Sequence, residues 1–552
     1  MPRQRRPVPR APWIGPLAGW ELLRLARRGQ SHRGRLLVVY LLLIAFILTP
    51  VFWFFDVDPL DLFLATRDPL KPAEAAAFAN RFALILLQAI LLAVAAMTPG
   101  YAAAAIADEK ERGTLALLLT TALSDREIVL GKAVGRLAFV LAAAAAGVPV
   151  LAVITLLGGV DPGFLLCGLG LVVGTASLTA AIGINAACAA DDLRGALVRA
   201  YGITALAVGL GFIPPCVFAS PFGVLVMVEG GQYGILPYLL VGLGYPAVQI
   251  AVAIAFLVTA IPRVRRASKA PVVARPAPQV TPAVIEPRLR APALETDELR
   301  ETKVANFIPT DRPRVSDDNP LLWKERYVTG RATRQGEGDA GRLAVLALGG
   351  LGLVLLAIGV WNLVDRLLST QQRDDEGGRM VMTAGVFFAG LYLFPAAIAL
   401  ASAVARERRR QTLEPLLALP FERRTVLGTK VRAATERGWW WGVVAVLAAG
   451  LSFGADGGWL FGVSAAALVL AGAWFVVGFG CWLTVRSPSE TRAFRFLVPA
   501  VVVVVGAPVG VFNATNWSRT EWSIISLAPI VVGLAVIGTL LWRRAGRDLE
   551  RL

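Results

Sequence analysis

Ala107-Asp-Glu-Lys-Glu-Arg-Gly-Thr-Leu-Ala-Leu-Leu-Leu119 closes one long apolar stretch of this 552-residue chain. Ala405-Arg-Glu-Arg-Arg-Arg-Gln-Thr-Leu-Glu-Pro-Leu-Leu417 closes another. Glu109 aligns with Glu407, Thr114 with Thr412 and Leu118 with Leu416, at a constant offset of 298 positions. The phrases run on to Ile128-Val-Leu-Gly-Lys132 and Thr425-Val-Leu-Gly-Thr-Lys430, and one deleted residue brings Leu130-Gly131 onto Leu427-Gly428. A repeat of this length marks two copies of one module.

The medium in which the modules sit follows from composition. The chain is 56% hydrophobic and only 17% charged, with a mean hydropathy of +0.62, whereas soluble domains carry about 25% charged residues. Crossing a bilayer takes roughly 20 apolar residues per helix. Runs of that kind lie at 37–55, 82–106, 137–157, 164–188, 203–228 and 237–261 in the first half. The second half has 343–364, 381–404, 439–454, 460–485, 496–512 and 524–542. The expected fold is an all-α membrane protein of two six-helix modules, about twelve spans, with 203–228 the least regular.

Basic residues orient the spans, because cytoplasmic loops are enriched in Lys and Arg. Nine arginines precede Leu36, and the loops after spans 2, 4, 6, 8 and 10 hold Arg112, Arg194, Arg263, Arg408 to Arg410 and Arg486. The opposite loops carry Asp56, Asp58, Asp61 and Asp68, and Asp374, Asp375 and Glu376. Both termini are therefore expected in the cytoplasm, with the chain multi-pass in the cell (inner) membrane. The net charge of +16 is scattered over these short loops as positive-inside topology requires, which argues against a nucleic-acid partner. The basic N-terminal region is too long for a cleavable signal, and no small-residue cleavage site follows it. The cysteines show no CxxC spacing and His32 is the sole histidine, so no metal ligation is expected.

The stretch 263–318 is basic, then Pro- and Ala-rich, and reads as an extended cytoplasmic linker between modules 1–262 and 319–552. Each module opens with Pro-Leu a few residues ahead of a Trp and charges: Pro16-Leu-Ala-Gly-Trp20-Glu21 and Pro320-Leu-Leu-Trp323-Lys-Glu325. On a helical wheel Glu21, Arg24 and Arg28 share one face and Leu22, Leu23 and Ala26 the other. That pattern predicts an interfacial amphipathic helix with Trp20 and Trp323 at headgroup level.

The charged loops, 108–132 and 405–430, are too elaborate for simple turns. Gly113 suits the end of one helix and Thr114 the cap of the next, a role Thr412 takes in the second copy. Leucines 115, 117, 118 and 119 then form a short apolar helix, and Ser124-Asp-Arg126-Glu127 is a capping box that starts another. Pro415 falls in the first turn of the second copy, where its missing N–H costs little. An apolar helix held beside charges at the cytoplasmic surface suits docking of a partner.

Glu-x4-Thr-Leu-x2-Leu-Leu followed by Val-Leu-Gly-Lys or Val-Leu-Gly-Thr-Lys resembles the type-2 ABC transporter permeases. The resemblance implies six spans per transmembrane domain, connecting helices at about 16–29 and 319–327, and coupling helices in the loops 108–132 and 405–430. It further implies a separate cytoplasmic ABC ATPase, in two copies, that carries ATP-Mg and docks on those loops. The positions it singles out are Glu109, Arg112, Thr114, Leu118, Arg126, Gly131 and Lys132, and Glu407, Arg410, Thr412, Leu416, Arg423, Gly428 and Lys430. Export is the family's usual direction; no substrate follows from it. Gln411 for Gly113 and Pro415 for Leu117 depart from an equal pair of sites, as does the loop with Pro214-Pro215, Pro221 and Gly230-Gly231.

No Gly-x4-Gly-Lys-[Ser/Thr] loop occurs in the chain, so ATP hydrolysis is expected in another subunit and no cofactor on this one. The rival transport plan, a major-facilitator carrier, also has twelve spans and a central linker. Its short loop after span 2 and its intramembrane ionisable relays are missing here. A membrane scaffold without transport stays open. Gln88, Asn185 and Gln249, the amides within the first-half spans, are expected to tie helices together rather than to meet substrate.

Overall fold

The computed structural model describes residues 15–27, 72–155, 160–209, 220–230, 240–269, 320–329, 346–364, 376–451, 458–505 and 520–550, save positions 122, 191, 363, 410, 437, 488, 489, 491, 495, 499, 502 and 503. Every regular element among the described residues is helical, as hydrocarbon demands of a backbone that must satisfy its own polar groups. The first half comprises α1 (Gly15–Arg27), α2 (Pro72–Glu111), α3 (Thr114–Leu119) and α4 (Asp125–Ala144). A 3-10 turn at Ala145–Gly147 carries α4 into α5 (Val148–Thr155), and α6 (Pro162–Ala189), α7 (Leu193–Gly209) and α8 (Pro221–Gly230) follow. A π turn at Leu240–Gly244 then leads into α9 (Tyr245–Lys269).

The second half begins with α10 (Pro320–Trp323), continued by a π segment, Lys324–Thr329, and then has α11 (Leu346–Asn362). After it come α12 (Glu376–Arg409), α13 (Leu413–Leu417), α14 (Arg423–Thr435), α15 (Trp439–Leu451), α16 (Gly458–Arg486) and α17 (Thr520–Glu550). Six helical stretches among the described residues are long and apolar enough to cross a membrane: Ala79–Glu111, Asp125–Thr155, Pro162–Ala189, Leu240–Arg265, Met380–Arg408 and Gly462–Arg486. The shorter α11 and α15 are also apolar. The expected first span, 37–55, and linker positions 270–318 lie outside the described residues.

Within the run 203–228, residues 203–209 belong to α7 and 221–228 to α8, and positions 210–219 lie outside the described residues. One stretch differs from the hydropathy reading. Helix α9 passes through Pro262 to Lys269, past the expected module boundary. The ninth span starts where expected: α15 opens at Trp439, directly after Gly438 with its φ of 71°.

In the first half α2, α4, α7 and α9 gather around α6. Glycine sets the α6–α9 spacing, since a Cβ on Gly174 would collide with Gln249 and Pro246. In the second half α12, α15 and α17 surround α16, and a Cβ on Gly478 would strike the Gly538 carbonyl. Small residues at such crossings let helices approach where no hydrophobic force separates helix from lipid. The buried amides behave as expected: Asn185 Nδ2 donates to the Phe256 carbonyl (2.8 Å) and Thr259 Oγ1 (2.7 Å), and Gln249 Nε2 to Thr175 Oγ1 (3.2 Å). Val248, Ile254 and Val258 of α9 and Val532, Val536 and Leu540 of α17 stay exposed, as lipid-facing side chains do.

One buried cluster spans both halves, joining Ala103, Ile106 and Leu197 to Leu393, Ala397, Ala401 and Leu497. At its edge Tyr201 meets Phe394 edge-on at 4.5 Å. The Tyr201 hydroxyl donates to the Ala96 carbonyl at 2.7 Å. This lies beside Pro99 within α2, where the missing proline N–H has already broken the helical ladder.

Candidate coupling surface

Each half builds the same charged clasp at one end of its bundle. Helix α1 lays Leu17 and Ala18 against Gly131 and brings Glu21 over Gly135 of α4. Lys132, 2% exposed, then reaches Glu109 Oε1 at 2.6 Å and Glu21 Oε1 at 3.6 Å. In the second half Lys430 Nζ lies 2.6 Å from Glu325 Oε1 and 3.0 Å from Glu407 Oε1, with Lys324 a further 3.4 Å partner of Glu407. Both Lys–Glu hydrogen bonds join residues 23 positions apart. The second copy loses one residue before Leu427 and regains one at Thr429, so the spacing is kept. Glu21 and Glu325 each follow their Pro-Leu pair at the same distance, although the tryptophans do not. A buried lysine needs such partners, since a lone charge in the interior is costly.

Two more contacts recur. Lys110 donates to the Ala190 carbonyl at the end of α6 (2.5 Å), and its counterpart Arg408 donates to the Val485 and Ser487 carbonyls at the end of α16 (3.1 Å each). Cations there satisfy carbonyls left without intrahelical partners. Thr114 and Thr412 each donate back to the carbonyl of the glutamate five positions earlier (3.3 and 3.4 Å), and Thr412 also bonds the Glu407 carboxylate.

The threonines therefore do not cap the short helices. Gly113 occupies the N-cap of α3 with φ 72°, and Thr114 is already helical. Thr412 sits at the N-cap of α13 but with φ −101° and ψ 0°, from which its side chain makes no capping bond. An N-cap side chain reaches the N2 or N3 amide from extended backbone, which neither site offers. Gln411 keeps the left-handed backbone of Gly113, at φ 55°. Ser124 is different: it accepts from the Glu127 amide and its own amide donates to Glu127 Oε2, the full capping box.

Glu21 and the leucines lie on opposite faces as the wheel requires: Glu21 is buried against Lys132 while Leu22, Leu23 and Trp20 are exposed. The leucine face of α1 therefore points away from the protein, and the acid points into it. In the second connecting segment Leu321 and Leu322 are buried instead, and Trp323 is partly covered and rests on Tyr327 at 5.7 Å.

The remaining candidate positions divide by exposure. Arg112, Thr114, Arg126 and Thr412 are exposed, and Leu118, Arg423 and Gly428 are partly covered. Gly131, Lys132, Glu407, Leu416 and Lys430 are buried, and the Glu109 side chain is 25% exposed. Arg410 lies outside the described residues. Leu115 anchors α3 and Leu416 anchors α13, the latter against Leu321 and Val426. The apolar side chains left in the open are Leu117, 68% exposed, and Leu419 and Phe421. A six-residue helix is too short for periodicity to separate its outward leucine from its inward ones.

The last helix of each half fastens the loop further. Arg265 of α9 pairs with Asp125 at 2.8 Å. In the second half the charges are exchanged: Arg424 pairs with Glu550 of α17 at 2.9 Å, and Arg423 donates to the Leu549 and Glu550 carbonyls.

A multi-pass helical membrane protein with an ion-paired charged loop repeated in both halves defines the class. Residues 29–227 match the family model described as ABC-2 family transporter protein. That stretch, somewhat over a third of the chain, is similar to the membrane domains of that family. No curated protein matches the chain.

Proposed function

We propose that this chain is the transmembrane permease subunit of an ABC exporter, with residues 1–262 and 319–552 supplying two transmembrane modules in one polypeptide. A separate cytoplasmic ATPase, in two copies, docks on the loops 108–132 and 405–430. ATP-driven closure of the ATPase pair pushes α3 and α13, and the modules rock between inward- and outward-open states. Both termini and both loops lie in the cytoplasm, and the membrane is the cell (inner) membrane. Export is the direction the family resemblance implies.

The observation that carries this reading is the construction of the two short helices. Each is anchored by one buried leucine and clasped at its base by Lys132 or Lys430, with Leu117 of α3, and Leu419 and Phe421 just past α13, left exposed. A rigid knob of that kind transmits force from a partner to the spans, whereas a loose loop would absorb it. The recurrence of the Lys–Glu, Lys/Arg–carbonyl and Thr–carbonyl contacts in both halves supports two modules of one design.

The test is co-purification of the ATPase with the chain carrying Leu117→Asp and Leu419→Asp. Both positions are exposed, so the spans keep their packing and the chain should elute as the wild type does. Loss of the ATPase from the double variant is the expected result. Full retention of ATPase binding and of transport-coupled hydrolysis would sink the assignment.

A further inference from the structure

Beside α13 lies a cavity of about 970 Å³, open to solvent and walled by the ends of α12, α16 and α17. Three arginines from three separate helices face it: Arg408, Arg486 and Arg544. Gln411 adds an amide, and Glu414 and Asp548 are the acids in the lining. Arg408 spends two N–H groups on the Val485 and Ser487 carbonyls, and a guanidinium has five. The Arg486 guanidinium lies 5.5 Å over the Trp482 ring. Among the described residues neither Arg486 nor Arg544 has an acidic partner within ion-pair distance.

The depth of the cavity is marked by tryptophan. Trp482 sits one helical turn before Arg486, and Trp542 of α17, two residues before Arg544, meets Trp474 at 6.4 Å. Tryptophans at span ends mark headgroup depth. Arginine forks are suited to phosphate oxygens, which they bind through paired N–H groups. The counterpart loop in the first half carries Lys110, Gly113, Ala116 and Leu117 where this one carries Arg408, Gln411, Glu414 and Pro415, so the polar lining belongs to the second half.

We infer that this cavity binds a phosphate-bearing anion at the membrane surface, with Arg486 and Arg544 as its principal ligands and Arg408 as the positioned third. The inference requires only that the helices span a membrane, not that an ATPase docks beside them. A phosphodiester headgroup held here would touch both the α16 and α17 ends and the flank of α13.

The experiment uses the full chain in nanodiscs of phosphatidylcholine, with phosphatidylglycerol added as probe and bound lipid read by native mass spectrometry. Arg486→Gln/Arg544→Gln is compared with Arg543→Gln/Arg547→Gln, which removes equal charge from exposed positions outside the lining. About thirtyfold weaker retention is expected for the first pair and unchanged retention for the second. Competition with inorganic phosphate separates the sources: displacement assigns the site to free phosphate, and its failure assigns it to the lipid headgroup. Equal losses in both variants, or none in either, would overturn the site. So would a first-pair variant that keeps the lipid and loses only a protein partner.

Discussion

Replacing Lys132 by Met tests whether the clasp holds the amphipathic first helix to the bundle. The lysine is 2% exposed and stands between Glu109 at 2.6 Å and Glu21 at 3.6 Å, the latter carboxylate only 3% exposed. The substitution keeps the volume but leaves two acids facing each other without a cation. Removing one partner of a buried pair costs about 3–5 kcal/mol, because an uncompensated charge is left behind. Spread over a module of roughly 250 residues, the lower figure corresponds to a fall of about 6 °C or more in the thermal midpoint. The assay is thermal unfolding of the purified chain in detergent, alongside limited proteolysis in the segment after α1. A triple variant, Glu21→Gln/Glu109→Gln/Lys132→Met, removes the stranded charges and should recover most of the loss. A single variant within about 1 kcal/mol of wild type, or a triple no better than the single, would show that the clasp is not what holds α1 in place.

Other substitutions test neighbouring features. Gly113→Ala should cost about 1 kcal/mol through backbone strain alone, since a Cβ there meets no atom within 4 Å; Gln411→Gly should shift the thermal midpoint upward by a smaller amount. Tyr201→Phe removes the 2.7 Å bond to the Ala96 carbonyl while keeping the ring on Phe394, and a loss of about 1 kcal/mol is expected in unfolding. Gly174→Ala forces α6 away from Gln249 and Pro246 and should destabilise by about 1–3 kcal/mol, with no effect expected from Gly428→Ala, where the space is open.

How far residues alone carried the reading depends on the range of the interaction involved. The repeat, the short helices and the Ser124 capping box were readable because each rests on neighbours within a few positions. The surroundings of Glu21 were not readable because its partner lies more than a hundred positions away, and a helical wheel cannot tell water from a buried lysine. Thr114 and Thr412 fit a capping pattern, but the role depends on the φ and ψ of one residue, which composition does not reveal. Which leucine of α3 is the more exposed was not readable for a related reason: Leu117 and Leu118 are adjacent, and only the packing of Leu115 shows that Leu117 points outward.

The clasp also bears on the order in which the chain is made. Its first copy needs nothing beyond Lys132, so α1, α2 and α4 are able to lock while most of the polypeptide is still unsynthesised. The Tyr201–Phe394 contact cannot exist until the eighth span has emerged. Since N-terminal units fold first during synthesis, the first loop would be rigid before its second-half counterpart is translated. A ribosome-stalled chain ending shortly after α5 should already resist proteolysis between α1 and α2's charged end.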